Sequence, residues 1–195
     1  MKYRTIVADP PWRYVDGFPS MVGPGRGKLV RATKMLPYSQ MSVDEIGALP
    51  VSEWAEDDAA LFLWTTNHYF PDAPKIMVIW GFTYTQTLVW IKDRRSPFIA
   101  SIAPNHCEYL LVGRRGNHRW AGSLRSNVIE IAAPNQWRKA SQKPEAFLDL
   151  VESVSPGPYL ELFARRQRLG WDTWGNEALE HVTLDAPFVR EGAGR

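Results

Sequence analysis

Tyr3-Arg4-Thr5-Ile6-Val7-Ala8-Asp9-Pro10-Pro11-Trp12 is the stretch that decides the fold. Its opening residues alternate and then become apolar, which is typical of a strand buried inside a sheet. Proline cannot continue the hydrogen-bond ladder, so the strand ends at Asp9. Ligands bind at the carboxyl ends of strands in open α/β sheets. The sequence therefore predicts an acid, a rigid turn and an aromatic ring at a binding edge; a rigid turn without a ligand is the alternative.

Strands and helices alternate along the rest of the chain. Apolar patterns predict strands over residues 59–65, 83–92, 108–112, 127–131 and 159–164. Helices are predicted over residues 42–49, where Ser42 and Glu45 can form a capping box, and over 69–80 and 143–154. Because several strands are apolar on both faces, we expect an α/β fold, with a mostly parallel, Rossmann-like sheet flanked by helices.

The length of the chain suits one domain, which we place at residues 1–180. Residues 181–195 lose the hydrophobic pattern and are predicted to be a disordered tail. Residues 13–40 contain glycines, prolines and basic residues without a hydrophobic period, and we expect them to form a substrate loop. Specificity would then depend on this loop and on a second one over residues 93–106, or on a partner.

The composition is that of a folded, non-membrane chain, with 45% hydrophobic and 23% charged residues. The apolar run at the N-terminus is too short for a signal peptide or a membrane span. Cys107 is the single cysteine, which excludes an intrachain disulfide, and the histidines show no metal-ligand spacing: His68, His106, His118 and His181. We therefore expect a cytoplasmic protein without a metal site.

The net charge is only +2, but the basic residues cluster. Clustered lysine and arginine side chains suit a polyanion such as a nucleic acid, and solubilising surface charge is the alternative interpretation. The chain also has nine tryptophans, whose rings can stack on bases or pack internally. The predicted nucleic-acid contacts are Arg26, Lys28, Arg114 and Arg115.

A set of short motifs, in order along residues 3–178, resembles the Asp-Pro-Pro-Trp class of adenine amino-methyltransferases. That family includes the catalytic subunit of the eukaryotic messenger-RNA adenosine methyltransferase and small bacterial and phage enzymes. Besides residues 9–12, the matching segments are Leu36-Pro37-Tyr38, Phe62-Leu63-Trp64, Trp80-Gly81-Phe82, Val89-Trp90-Ile91-Lys92, Leu111-Val112-Gly113, Lys143-Pro144, Leu160-Glu161-Leu162-Phe163-Ala164-Arg165 and Trp174-Gly175-Asn176-Glu177.

The resemblance implies a circularly permuted methyltransferase sheet and S-adenosylmethionine as the cofactor. It implies that Lys143 meets the cofactor carboxylate and Asp9 its amino group. The remaining implied cofactor contacts are Phe163, Arg165, Gln167, Asn176 and Glu177, and Tyr38 would help to hold the target base. Ordinary structural roles are the alternatives, for example Phe163 as a core residue and Glu161 as a surface acid.

The chemistry of an adenine amine suits Asp9, Pro10, Pro11 and Trp12. The nitrogen is a weak nucleophile because its lone pair is delocalised into the ring. The Asp9 carboxylate can accept one N–H and a proline-fixed backbone carbonyl the other, while Trp12 offers a face to the base. Asp9 either orients the amine or takes its proton, and the sequence leaves both roles open.

Two features depart from familiar motifs. The glycine-rich loop that most methyltransferases have after the cofactor strand is replaced by Ala164-Arg165-Arg166-Gln167, and Glu177 stands at a position that varies within the family.

Gly27-Lys28 hints at a phosphate-binding P-loop, but Val22 and Leu29 break its pattern. We therefore expect no kinase or ATPase activity.

Three functions remain open at this point. The first is methylation of adenine in DNA, on a flipped or single-stranded base, which we favour because the chain is minimal and resembles bacterial and phage members. The second is the same reaction on RNA. The third is a catalytically silent, nucleic-acid-binding subunit, against which the intact Asp9, Lys143 and Asn176 argue. Because related enzymes often pair, we also expect a homodimer or a heterodimer with a related subunit.

Overall fold

The first strand, β1 (Tyr3–Ala8), lies in the middle of a mostly parallel sheet in the computed structural model. The structure describes residues 1–13, 40–92, 105–132 and 143–175. The greater part of the predicted substrate loop, most of the second loop and the predicted tail lie outside these ranges. The strand predicted before Asp9 is confirmed, since β1 ends at Ala8.

The described elements alternate as the sequence predicts. The strands that follow β1 are β2 (Ala55–Thr65), β3 (Thr83–Ile91), β4 (Cys107–Arg115), β5 (Val128–Ile129), β6 (Tyr159–Leu162) and β7 (Trp171–Trp174). The helices are α1 (Val43–Gly47), α2 (Val51–Trp54), α3 (Ala73–Ile79) and α4 (Ala146–Val154). No helix within these ranges is long and apolar enough to cross a membrane.

The described strands form one seven-stranded sheet in the order β5-β3-β4-β2-β1-β6-β7. β4 runs antiparallel to both β2 and β3, and the other pairs are parallel. This confirms the mostly parallel sheet predicted from the sequence. Because β4 is reversed, it begins at the edge where the parallel strands end, so Glu108 lies at the same edge as Asp9.

β1 has β2 on one side and β6 on the other, and Ala8 is in register with Leu63 and with Leu162. The chain passes from β1 toward β2 and returns later to β6. Such a reversal of strand order opens a crevice at the carboxyl ends of the two strands, which is the usual ligand position in α/β sheets. Asp9 follows β1 directly, so the fold brings it to this crevice.

Apolar side chains cover both faces of the sheet. Ile6 packs in a cluster with Ile76 and Met77 of α3, whereas Val7 packs on the opposite face with Phe147 and Val151 of α4. Successive residues of a strand point to opposite faces, and burial of each such side chain contributes about 1.5–3 kcal/mol. Helices on both faces therefore hold β1 in place between them.

The element boundaries differ from the predictions where local chemistry intervenes. The capping box is present, because the Glu45 amide donates to Ser42 Oγ at 3.2 Å and the Ser42 amide donates to Glu45 Oε2 at 2.7 Å. The helix predicted over 69–80 begins only at Ala73, because proline is accommodated in its first turn and the preceding residues form turns. β7 was not predicted, since it has four residues between Gly170 and Gly175.

Candidate active site

A cleft opens at the carboxyl ends of β1 and β6. It contains about 500 Å³ of empty space, including the part open to solvent. Its polar lining consists of Asp9, Lys143, Glu161, Arg165 and Arg166. Its apolar lining includes Val7, Trp64, Leu110, Phe147, Val151 and Phe163. Mostly apolar walls with a few charged groups are typical of a binding site for a small organic molecule.

Asp9 and Lys143 form an ion pair in this cleft. Lys143 Nζ lies 2.8 Å from Asp9 Oδ1 and 2.8 Å from Oδ2, although the two residues are 134 positions apart in sequence. The ammonium also lies 5.0 Å from the centre of the Trp64 ring, which is within the range of a cation–π contact. The structure thus brings together Asp9 and Lys143, two residues that the sequence assigned to one site.

Glu108 and Lys92 extend this ion pair into a line of alternating charges. Lys143 Nζ lies 3.2 Å from Glu108 Oε2, and Lys92 Nζ donates to Glu108 Oε1. Burial lowers the pKa of Lys143, but Asp9 and Glu108 raise it by more, so the net shift is upward. Burial raises the pKa of Glu108, but the two lysines lower it by more. Lys143 and Glu108 therefore stay charged at neutral pH.

Sequence reasoning did not assign a role to Glu108. Glu108 was recognised only as the first residue of a predicted strand. If that strand were parallel to β1, Glu108 would lie at the edge of the sheet opposite Asp9. The antiparallel direction of β4 is what brings Glu108 to Lys143. A glutamate among apolar strand residues was the available signal, because a charged side chain is rarely buried without a partner.

The proline turn is fixed by backbone hydrogen bonds. The Trp12 amide donates to the Pro10 carbonyl at 2.9 Å, and the Met41 amide donates to the Pro11 carbonyl at 2.8 Å. A carbonyl oxygen has two lone pairs, so each of these carbonyls keeps capacity for a second donor. The turn therefore presents fixed acceptors next to Asp9, as the expected amine contact requires.

Trp12 lies in the core rather than on an open surface. Its side chain is only 5% exposed, and its ring stacks on Tyr69 with centroids 4.8 Å apart and an angle of 17° between the planes. One face of the indole is therefore covered by Tyr69, whose hydroxyl donates to the Arg13 carbonyl. The contact between the Trp12 ring and a base stays a prediction. Only the ring face away from Tyr69 is available for this contact.

Phe163 follows β6 directly and has a positive φ of 64°. This left-handed conformation is rare for a bulky residue, and a held strained residue often marks a functional site. Gly175 supports it, because a Cβ there would lie 2.5 Å from the Ala164 carbonyl oxygen and 2.8 Å from the Phe163 carbonyl carbon. The backbone at the end of β6 is therefore fixed by close contact with the end of β7.

Glu161 lines the cleft on β6, so its alternative interpretation as a surface acid is wrong. Its Oε2 atom is buried and has no hydrogen-bond partner among the described residues. Arg165 also lines the cleft, and Gln167 lies exposed in the segment after β6. The part of the chain that follows β6 therefore reaches the edge that contains Asp9.

Other predicted residues are not brought to the cleft. Arg114 and Arg115 lie at the end of the reversed strand β4, so they are at the edge opposite Asp9, roughly 20 Å along the strand from Glu108. Arg115 Nη1 donates to the Ser52 carbonyl at 2.6 Å, whereas Arg114 is exposed. The predicted site residues outside the described ranges are Arg26, Lys28, Tyr38, Asn176 and Glu177. Within those ranges no group of three or more histidine, cysteine or acidic side chains can hold a metal ion.

Comparison with known families identifies the chain. The family model described as MT-A70 matches residues 3–177. The chain belongs to the MT-A70 family. This confirms the predicted resemblance and the predicted enzyme class, since this is a family of adenine N6-methyltransferases. The match includes Asp9, Lys143 and Phe163, which line the cleft, and Glu108, which contacts Lys143.

Curated relatives of this MT-A70 chain come from bacteria and eukaryotes. Type II methyltransferase M.MunI of Mycoplasma sp is 29% identical, with 90% of this chain and 78% of the relative covered. An N(6)-adenosine-methyltransferase MT-A70-like protein of Drosophila melanogaster is 29% identical over 95% of this chain, and the human N(6)-adenosine-methyltransferase catalytic subunit METTL3 is 28% identical over 96%. The chain spans only 28% and 30% of those two eukaryotic relatives.

Proposed function

We propose that this chain transfers a methyl group from S-adenosylmethionine to the exocyclic amine of adenine in DNA. The observation that carries the proposal is the Asp9 carboxylate, held by Lys143 at the carboxyl end of β1 in a cleft with mostly apolar walls. The fixed acceptors of the proline turn stand next to it. This arrangement provides what a weakly nucleophilic amine needs, namely two acceptors in a defined geometry.

The residues of the cleft fit the proposed cofactor. S-adenosylmethionine carries a carboxylate, an ammonium group, ribose hydroxyls and an aromatic base, and it supplies an electrophilic methyl group when bound. The Lys143 ammonium would hold the carboxylate, and the ring of Phe163 would lie along the cofactor. The unpaired buried oxygen of Glu161 is a further sign of fit, because a buried acceptor needs a donor that the described protein atoms do not supply.

Asp9 would orient the amine and stabilise the positive charge that develops on its nitrogen. Lys143 contacts both Asp9 oxygens, so it fixes the rotamer of the carboxylate. Glu108 also binds Lys143, which prevents the ammonium from neutralising Asp9 completely. A carboxylate that is held but not fully neutralised remains able to accept an N–H of the base.

DNA is our first choice of substrate because the bacterial relative M.MunI is matched over 78% of its length. RNA is the second choice, since relatives from Drosophila melanogaster and Homo sapiens are named as N(6)-adenosine-methyltransferases. A silent binding subunit is disfavoured by the intact Asp9–Lys143 pair. We further propose that the protein works in the cytoplasm and pairs as a homodimer or with a related subunit.

The test is methyl transfer from labelled S-adenosylmethionine to matched DNA and RNA oligonucleotides, with the wild type beside Asp9→Ala. We expect labelled DNA with the wild type and none with the variant. Labelling of RNA alone would retain the chemistry and refute the choice of DNA. Absence of any label, with nucleic acid still bound, would refute the catalytic proposal in favour of the silent subunit.

A further inference from the structure

Glu161 differs from Asp9 and Glu108 because its Oε2 atom has no donor in the described part of the chain. Asp9 is bound by Lys143, and Glu108 is bound by Lys143 and Lys92. Glu161 Oε2 is buried and contacts no hydrogen-bond donor among the described residues. The residue nevertheless lines the same cleft as Asp9 and Lys143. The sheet therefore presents an unsatisfied acid to the space that a ligand would fill.

The neighbouring guanidinium does not satisfy this acid. Arg166 Nη1 donates to the Lys143 carbonyl at 3.1 Å, and Arg166 Nε is itself buried without a partner in the part of the chain that is described. No ion pair within 4.0 Å joins Arg166 to Glu161 in these ranges. Arg166 thus remains fixed on the backbone, and Glu161 keeps an unused acceptor.

A buried carboxylate without a donor is costly, and it lowers this cost by taking up a proton. Burial accordingly raises the pKa of Glu161 to about 7. Other charged groups around it act in both directions: Asp9 and Glu145 raise this pKa further, whereas Arg166 and Arg168 lower it. Lys143, on the segment that leads into α4, is engaged by Asp9 and Glu108.

We propose that Glu161 binds a hydrogen-bond donor of the cofactor as a carboxylate, and that cofactor binding therefore releases a proton from this residue. The inference rests on the proposed function and deepens it. The O–H bond of the Glu161 carboxyl group breaks, the proton passes to the solvent, and the carboxylate accepts a hydrogen bond from the ligand. The donor is an N–H or O–H group of the ligand, so no further reactant is needed.

The proposal gives quantitative expectations. With a pKa of about 7, about one-tenth of Glu161 is ionised at pH 6 and about nine-tenths at pH 8. The affinity for the cofactor should therefore be about 10-fold higher at pH 8 than at pH 6. At pH 7 the binding should release about half a proton per ligand molecule.

The experiment is isothermal titration calorimetry of the full chain with S-adenosylhomocysteine, which has the donors of the cofactor without a reactive methyl group. Measurements at pH 7 in two buffers with different ionisation enthalpies give the number of protons released. The wild type is compared with Glu161→Gln, which imitates the protonated acid, and with Glu53→Gln, which alters an exposed glutamate on α2. Any proton that the ligand itself gains or loses on binding is the same for all three proteins, so it cancels when they are compared.

We expect proton release and a pH-dependent affinity in the wild type and in Glu53→Gln. In Glu161→Gln we expect the proton release and the pH dependence of the affinity to be lost. Equal proton release and equal affinity in Glu161→Gln and the wild type would overturn the inference. If that result came with wild-type methyl transfer, the proposed function would stand. If the wild type bound neither S-adenosylmethionine nor S-adenosylhomocysteine, the proposed function itself would fail.

Discussion

The two edges of the sheet differ in the charge of the buried polar groups that lie there. At the carboxyl edge of β1, ions are brought together: Asp9, Lys143, Glu108 and Lys92. At the opposite edge, neutral groups pair with one another, as Thr5 Oγ1 lies 2.6 Å from Ser155 Oγ and donates to the Pro156 carbonyl at 2.7 Å. Neutral pairs of this kind stabilise a fold without the large desolvation cost of a charge. Buried charges add little stability and are retained for their chemistry. The difference separates the functional edge from the structural one.

His118 illustrates the structural edge. Its Nε2 lies 3.2 Å from Ser155 Oγ, and its side chain is buried. Burial lowers the pKa of the imidazole, so the ring stays neutral at physiological pH. The buried polar groups Thr5, Ser155 and His118 at this edge are therefore neutral, in contrast to the charged line beside Asp9.

The largest effect should follow from Lys143→Met, which removes the cation shared by two partly buried carboxylates. We expect the free energy of unfolding to fall by about 2–3 kcal/mol, below the range for fully buried pairs because these side chains are partly exposed. Affinity for S-adenosylmethionine should fall as well. Denaturant unfolding and calorimetry measure the two changes. The matched control is Lys75→Met, whose ion pair with Asp72 is exposed and should matter little; equal losses in both variants would contradict the comparison.

The next effect should follow from Gly175→Ala, which puts a Cβ against the backbone of Ala164. We expect a loss of about 2 kcal/mol in stability, together with weaker cofactor binding, because the end of β6 must shift. Gly170→Ala is the control, since its φ of +82° strains an alanine but no atom lies within 4 Å of the new Cβ. It should lose about 1 kcal/mol and keep its affinity. An unchanged affinity in Gly175→Ala would argue against a cofactor contact at Phe163.

A smaller effect concerns the pH dependence of stability at Glu161. Its folded-state pKa is raised to about 7 from an ordinary value of 4.5, so the stabilising contribution is complete below the ordinary value and is lost as the pH rises through 7. Relative to Glu161→Gln, the cofactor-free wild type should lose about 1–3 kcal/mol between pH 5 and pH 8. Parallel stability curves of the two proteins over this range would show that Glu161 is solvated.

The smallest effect is expected at the structural edge. Thr5→Val removes the hydroxyl that joins Ser155 and the Pro156 carbonyl, and should cost about 1–2 kcal/mol in stability. Affinity for S-adenosylmethionine should stay within about twofold, because each twofold change is only about 0.4 kcal/mol and no contact with the cleft is lost. Thermal unfolding and calorimetry provide the test. A large loss of affinity would show that the two edges are coupled.

The sequence predicted the strand before Asp9, the alternation of elements and the capping box at Ser42, because these depend on local patterns. It also assigned Asp9 and Lys143 to one site, but through family motifs rather than spacing. Glu108 was missed because its position depends on the antiparallel direction of β4, which no local pattern specifies. Glu161 was undervalued for a related reason: its burial results from packing between distant segments, and the sequence alone does not show which charged residue loses its solvent.

The central claim is that the Asp9 carboxylate orients the adenine amine for methylation in this cleft. The most direct test compares Asp9→Asn with Asp57→Asn, an exposed acid near the start of β2, in single-turnover reactions with DNA followed by mass spectrometry of the nucleosides. We predict N6-methyladenine from the wild type and from Asp57→Asn, and a rate at least about 1000-fold lower with Asp9→Asn. Wild-type formation of N6-methyladenine by Asp9→Asn, or a methyl group at another position of the base, would contradict the account.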